Sequence, residues 1–154
     1  MSHVARCADL IEAAPEDIID ALLDFESYPQ WQAGVLGTKI LERDEQGRGL
    51  LIELRVDAKV RKLRVVVRAL YDELGSISCE YVSGDVKDYR ACYSFAPRDD
   101  GTTFVTYDIA VEPGFPLPAA LKKLIADRSV KDTMRSLKKR VEGREGTATL
   151  GRLR

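Results

Sequence analysis

The chain is short of the residues on which most enzymatic and metal chemistry rests. It has one histidine, His3, at its very start, so histidine-dependent acid–base or nucleophilic catalysis is not expected. Its three cysteines, Cys7, Cys79 and Cys92, are odd in number and widely spaced. That pattern argues against a disulfide framework and for free thiols in a reducing compartment, with the cytoplasm as the expected location. Without ligand-type spacing or a second histidine, no metal site is expected. Glycine-rich phosphate loops and dinucleotide fingerprints are missing, so no cofactor is expected either. No apolar run approaches the roughly 20 residues that span a bilayer. The opening Met1-Ser2-His3-Val4-Ala5-Arg6-Cys7 has no basic segment followed by an apolar core, so no signal peptide is expected. Charge of one sign is also lacking: Lys and Arg number 24 against 25 Asp and Glu, a formal net charge of −1. A nucleic-acid binder usually carries a basic excess, so no nucleic-acid partner is expected.

What remains is an ordinary globular composition of 154 residues, 45% hydrophobic and 32% charged, long enough to bury about 70% of its unfolded surface as one domain. That domain is expected over residues 1–143, with 144–154 as a mobile C-terminal tail. Val4 to Glu12 reads as a strand. Ala14-Pro15-Glu16-Asp17 opens a helix, because proline suits the first helical position and the carboxylates complement the positive end of the dipole. A second helical turn is expected around Ser27 to Trp31. Beyond it the period becomes two. Val35 to Arg43 reads as a strand. Leu50, Ile52, Leu54, Val56 and Ala58 share a face, as do Leu63, Val65, Val67, Ala69 and Tyr71. Ile77, Cys79 and Tyr81 follow, then Tyr89, Ala91, Tyr93 and Phe95, then Val105, Tyr107, Ile109 and Val111. Such alternation describes strands with one wet and one covered face, and the short turns between them make an antiparallel meander the natural topology.

Pro113 to Pro118 breaks the last strand, and a long helix is expected from there to near Glu142, with Gly143 just past its end. Ala119, Ala126, Val130, Met134, Leu137 and Val141 fall on one side of it, the natural core face. Small residues in its first half, facing aromatic strands, point to a cavity, although large strand side chains could fill the same space. Leu121, Leu124 and Ile125 form a second apolar group beside Lys122 and Lys123. Three readings of that group stay open: packing against the Trp31 loop, a homodimer contact, or transient contact with a membrane, where leucines enter the interface and lysines meet anionic headgroups.

The segment Asp24-Phe25-Glu26-Ser27-Tyr28-Pro29-Gln30-Trp31 resembles the stretch after the first helix in the START-like SRPBCC superfamily. More narrowly, it resembles the polyketide cyclase/dehydrase and lipid transport branch, which includes coenzyme Q-binding proteins. Ala14 to Asp17, Gly101 to Tyr107, Pro116-Leu117-Pro118 and Val130 to Glu142 match in order, so the resemblance covers about residues 3 to 143. It implies an α+β helix-grip fold, with a seven-stranded antiparallel sheet around a long C-terminal helix and two short N-terminal helices. It further implies an internal pocket for a lipid, isoprenoid quinone, sterol or polyketide. The residues mapping to that pocket are Trp31, Leu54, Val56, Val65, Val67, Tyr81, Tyr93, Phe95, Tyr107 and Ile109, with Ala126, Val130 and Met134 from the helix. The branch shares no catalytic residues, so none is assigned.

A non-catalytic binding or carrier protein is the leading functional reading. A polyketide cyclase or aromatase working by shaped confinement is the first alternative, and a protein-interaction module like the ribosome-associated toxins of the same branch is the second. Two polar features are expected to be surface elements: an Arg128–Asp132 pair on the long helix and a solvated loop from Gly84 to Asp88.

Overall fold

The computed structural model describes residues 3–58, 61–72 and 75–153, with side chains from 4 to 143 within those ranges. The elements in chain order are β1 (His3–Ile11), α1 (Pro15–Leu23), a 3-10 turn (Phe25–Ser27), α2 (Tyr28–Trp31), β2 (Val35–Arg43), β3 (Gly49–Asp57), β4 (Lys62–Tyr71), β5 (Ile77–Gly84), β6 (Val86–Pro97), β7 (Thr103–Pro113) and α3 (Ala119–Leu153). The seven strands form one antiparallel sheet in the order β1-β7-β6-β5-β4-β3-β2. β2 to β7 are the expected meander. β1 closes the far edge against β7, in register from His3 opposite Val111 to Ile11 opposite Thr103, so the chain crosses from one edge to the other through α1 and α2.

Pro15 occupies the start of α1, with Glu16 and Asp17 in its first turn, where a missing N–H and negative charge are both tolerated best. Ile18, Ala21 and Leu22 are its buried face. On α3 the buried stripe is Ala126, Val130, Met134, Leu137 and Val141, spaced three or four apart as one helical face requires. Two expectations for this helix change. Ala119 is exposed, because the first turn of α3 carries no buried residue and the core face begins at Ala126. Gly143 lies within the helical span rather than at its end. The side chains of 144–154, the expected mobile tail, lie outside the described residues.

α3 runs along β1 and touches β7, α1 and α2. Its direct contacts with the sheet are mainly to β1 and β7. The interior is correspondingly built as two apolar clusters. One joins α1 and α3 to β1, β6, β7 and Ile77 of β5. The other joins Phe25 and Tyr28 to the inner face of β3 and β4, with Val86.

The sheet also splits at one end. β5 pairs with β6 only from Ile77 opposite Tyr93 to Glu80 opposite Arg90. Past that point β5 stays with β4 as far as Val65 opposite Gly84, while β6 stays with β7 back to Val86 opposite Pro113. Gly84 bridges the split at φ 131°, and a β-carbon there would lie 2.3 Å from the Arg64 carbonyl oxygen. Asp85 N–H donates to that same oxygen at 2.8 Å, and the Arg64 N–H donates to the Asp85 carboxylate at 2.8 Å. Val86 is buried. The loop from Gly84 to Asp88 is exposed at Gly84, Asp85 and Lys87, as expected of a solvated loop, but Val86 is buried within it.

Candidate ligand site

On the inner face of β3 to β5, Ile52, Val65, Val67, Ala69 and Ile77 are buried, while other side chains are only partly covered. Leu54, Val56, Cys79 and Tyr81 all keep accessible surface while packing against the second cluster. Across from them stand Phe25, Tyr28 and Trp31. Their rings form a continuous run, with centroids 5.3 Å apart from Phe25 to Tyr28 and 5.2 Å from Tyr28 to Trp31. The run is anchored, because the Tyr28 hydroxyl donates to the Leu22 carbonyl at 2.5 Å. Phe25 lies so close over Gly49 that a β-carbon there would meet its ring at 2.9 Å. Tyr71 donates to the Gly49 carbonyl at 2.5 Å, and the Arg48 guanidinium sits 4.2 Å from the Tyr71 ring centroid.

The thirteen residues assigned to the pocket from sequence divide between the two clusters. Val65 and Val67 are buried in the β3–β4 cluster, with Leu54, Val56 and Tyr81 packed beside them. Tyr93, Tyr107, Ile109, Ala126, Val130 and Met134 belong to the cluster under α3, with Phe95 beside it. Trp31 touches both. Val67, Val130 and Met134 expose no more than 2% of their surface and act as packing behind the face.

Sequence reasoning passed over four residues that the fold brings to the same place: Tyr28, Tyr71, Cys79 and Tyr89, each touching the zone where the clusters meet. Tyr89 and Cys79 stand on inner-facing strand positions, a signal already present in the period-two pattern. Tyr28 sits in a four-residue helix whose facing no periodicity reveals.

Burial pushes the hydroxyls of Tyr28, Tyr89, Tyr93 and Tyr107 well above tyrosine's ordinary value of 10.0. It pushes the Cys79 thiol up to about 12, with a smaller contribution from Cys92, and Tyr71 also to about 12. Removal from water disfavours the charged form of each group. Cys79 and Tyr89 nevertheless retain accessible surface. Threonines 103 and 133 are the buried polar residues described, and no charged residue is among the buried ones. The interior can therefore solvate apolar matter and donate neutral hydrogen bonds, but its groups are poor bases and poor nucleophiles at neutral pH. Among the described residues no group of three or more His, Cys, Asp or Glu could hold a metal ion.

The two polar surface features read differently in detail. Asp132 pairs with Arg135 at 3.5 Å rather than with Arg128, which is exposed; the i,i+3 spacing brings Arg135 to the same side of the helix. A depression over the β6–β7 turn, Pro97 to Asp100, is open to solvent and lined by turn residues alone, away from the aromatic run.

The profile of the polyketide cyclase / dehydrase and lipid transport family matches residues 11–138. The chain belongs to this family. Its fold is the START-like helix grip, similar to that of a START superfamily protein from Mycobacterium smegmatis, with 26% identity, a TM-score of 0.85 and coverage of 92% of this chain and 98% of that one. The Zhui aromatase/cyclase from Streptomyces sp. R1128 has the same fold at 13% identity and a TM-score of 0.75, over 94% of this chain and 93% of its own. A STAR-related lipid transfer protein from Xanthomonas axonopodis does so at 18% identity and a TM-score of 0.70, over 88% and 84%. No functionally curated protein matches the sequence significantly. Family and fold together make this a START-type ligand-binding or polyketide cyclase-like protein. Among the described residues no helix is long and apolar enough to cross a membrane.

Proposed function

We propose that the protein binds a hydrophobic small molecule between α3 and the inner face of β3 to β5, and carries it without transforming it. One observation supports this above the others. Leu54, Val56, Cys79, Tyr81 and Tyr89 keep accessible surface on an inward face, while the long helix that would otherwise cover them lies along β1. Partly covered apolar walls with a few convergent hydroxyls are the usual make-up of a small-molecule site. The enzymatic alternative rests on the family's cyclase members. Against it, the interior hydroxyls are held neutral, which suits them to donate hydrogen bonds rather than to take protons.

Titration with the apolar fluorophore N-phenyl-1-naphthylamine tests the reading. Saturable binding of one probe per chain is expected, and Leu54→Arg should abolish it while the circular dichroism spectrum is kept. Binding unaffected by Leu54→Arg, or absent from the unaltered protein, would overturn the site.

The start of α3 is the part of the molecule we assign to ligand entry. Arg61 sits 4.0 Å from the Phe115 ring centroid there, and Leu124 is 59% exposed while Leu121 and Ile125 are half-buried. An exposed leucine flanked by Lys122 and Lys123 supports transient contact with an anionic membrane during ligand exchange. The half-burial of its two neighbours favours a packing role for them. A homodimer through the same leucine is the competing use. The free cysteines Cys7, Cys79 and Cys92 support a reducing, cytoplasmic setting.

A further inference from the structure

Two connections far apart in the chain meet near the start of α3. Arg61 lies in the turn between β3 and β4, and Phe115 in the stretch between β7 and α3. The Arg61 guanidinium sits 4.0 Å from the Phe115 ring centroid. Arg61 is exposed, while Phe115 is half-buried and packs against the β3–β4 cluster. One aromatic ring is thus shared between an interior apolar cluster and a surface cation. The stretch that carries it is held on either side. Glu112 pairs with Lys122 at 3.8 Å, and a β-carbon on Gly114 would lie 3.4 Å from the Asp85 carbonyl oxygen, so Gly114 rests against the β5–β6 turn. Lys123 is paired as well, with Asp127 at 2.9 Å. Arg61 differs from these lysines: among the described residues its guanidinium meets the ring and forms no ion pair.

An exposed cation–π contact is weak, and a guanidinium binds phosphate more strongly, through two parallel charge-assisted hydrogen bonds. A phosphate at this surface therefore competes with the ring for Arg61. Inorganic phosphate offers nothing to Phe115, which keeps its apolar neighbours. A phospholipid surface supplies both halves of an exchange, phosphate for the arginine and an apolar medium for the ring. Leu124, 59% exposed in the second turn of α3, suits the same medium, and anionic lipids add long-range attraction for the cation. We propose that Arg61 and Phe115 form a latch over the interior, shut in water and released where an anionic membrane takes the arginine and the ring together. The latch rests on the interior site and the membrane contact proposed above, and it couples one to the other. It confines release of the guest to the surface that can receive it.

Two readouts on the full chain test the latch. In the first, the protein is loaded with N-phenyl-1-naphthylamine and its loss is followed by stopped-flow fluorescence. Vesicles containing phosphatidylserine should speed the loss, whereas phosphatidylcholine vesicles, or inorganic phosphate at the same ionic strength, should not. Arg61→Gln removes the cation from an exposed position. It should speed the loss without vesicles about threefold, the worth of one exposed cation–π contact, and reduce the acceleration by phosphatidylserine. Equal rates for R61Q and the unaltered protein overturn the latch, as does acceleration by inorganic phosphate equal to that by the vesicles. The second readout needs no guest. Phe115→Trp keeps an aromatic ring beside Arg61, and brominated phosphatidylserine vesicles should quench its fluorescence beyond the baseline that Trp31 sets in the unaltered protein. Quenching no greater than that baseline overturns the latch and leaves the interior site standing. A chain that binds no N-phenyl-1-naphthylamine overturns the interior site, and the quenching then decides the latch.

Discussion

At the scale of single residues, titration and close approach make the sharpest demands. Tyr28, Tyr89, Tyr93 and Tyr107 have hydroxyls raised well above 10.0 by burial. Their folded-state values exceed those of the unfolded chain, so what they contribute to stability is complete below about pH 10. Above that pH the unfolded chain ionises its tyrosines while the folded protein resists, and the contribution is lost as the folded values are approached. Urea midpoints measured from pH 7 to pH 11.5 should hold level as far as this group is concerned and then drop steeply above pH 10. Y89F/Y93F/Y107F should flatten most of that drop. Glycine 84 makes a steric demand. With φ at 131° and the Arg64 carbonyl 2.3 Å from a would-be β-carbon, Gly84→Ala should cost about 2 kcal/mol or more by chemical denaturation. The alternation of Tyr89, Tyr93 and Tyr107 was legible in the sequence, because period two puts them on one face. The stacking of Tyr93 on Tyr107 was not, since it depends on how β6 and β7 register against each other.

At the scale of elements, α3 carries two separable functions. Leu137 is fully buried on the stripe that meets β1 and β7, and Leu137→Ala should destabilise the protein by roughly 2–5 kcal/mol. Leu124 is the exposed member of the other group. Leu124→Asp should leave the melting temperature nearly unchanged and lower co-sedimentation with vesicles containing phosphatidylserine. Co-sedimentation equal to that of the unaltered protein would assign Leu124 to another partner or to none. The sequence separated these two stripes because helical periodicity is a local property. Where the helix comes to rest, along β1, is set by long-range packing that no local pattern records. The burial of Val86 in the loop after Gly84 escaped notice for the same reason. A glycine and an aspartate read as a solvated turn, and Arg64 of a different strand supplies the partner for both the Asp85 N–H and its carboxylate.

For the whole molecule, strand order, meander and helix grip followed from period-two segments, short turns and the order of a few motifs. Those are features a single sequence records well. The site was half legible. Leu54, Val56 and Tyr81 do lie on the inward face with surface to spare, whereas Val67, Val130 and Met134 are packed solid, a distinction that depends on where α3 comes to rest. The central claim is that this interior holds an apolar guest. Mass spectrometry of the purified protein, first native and then after denaturation and solvent extraction, tests it most directly. One apolar molecule per chain, lost on denaturation, is the predicted result. A chain that is empty as purified and stays empty after exposure to excess N-phenyl-1-naphthylamine would contradict the account.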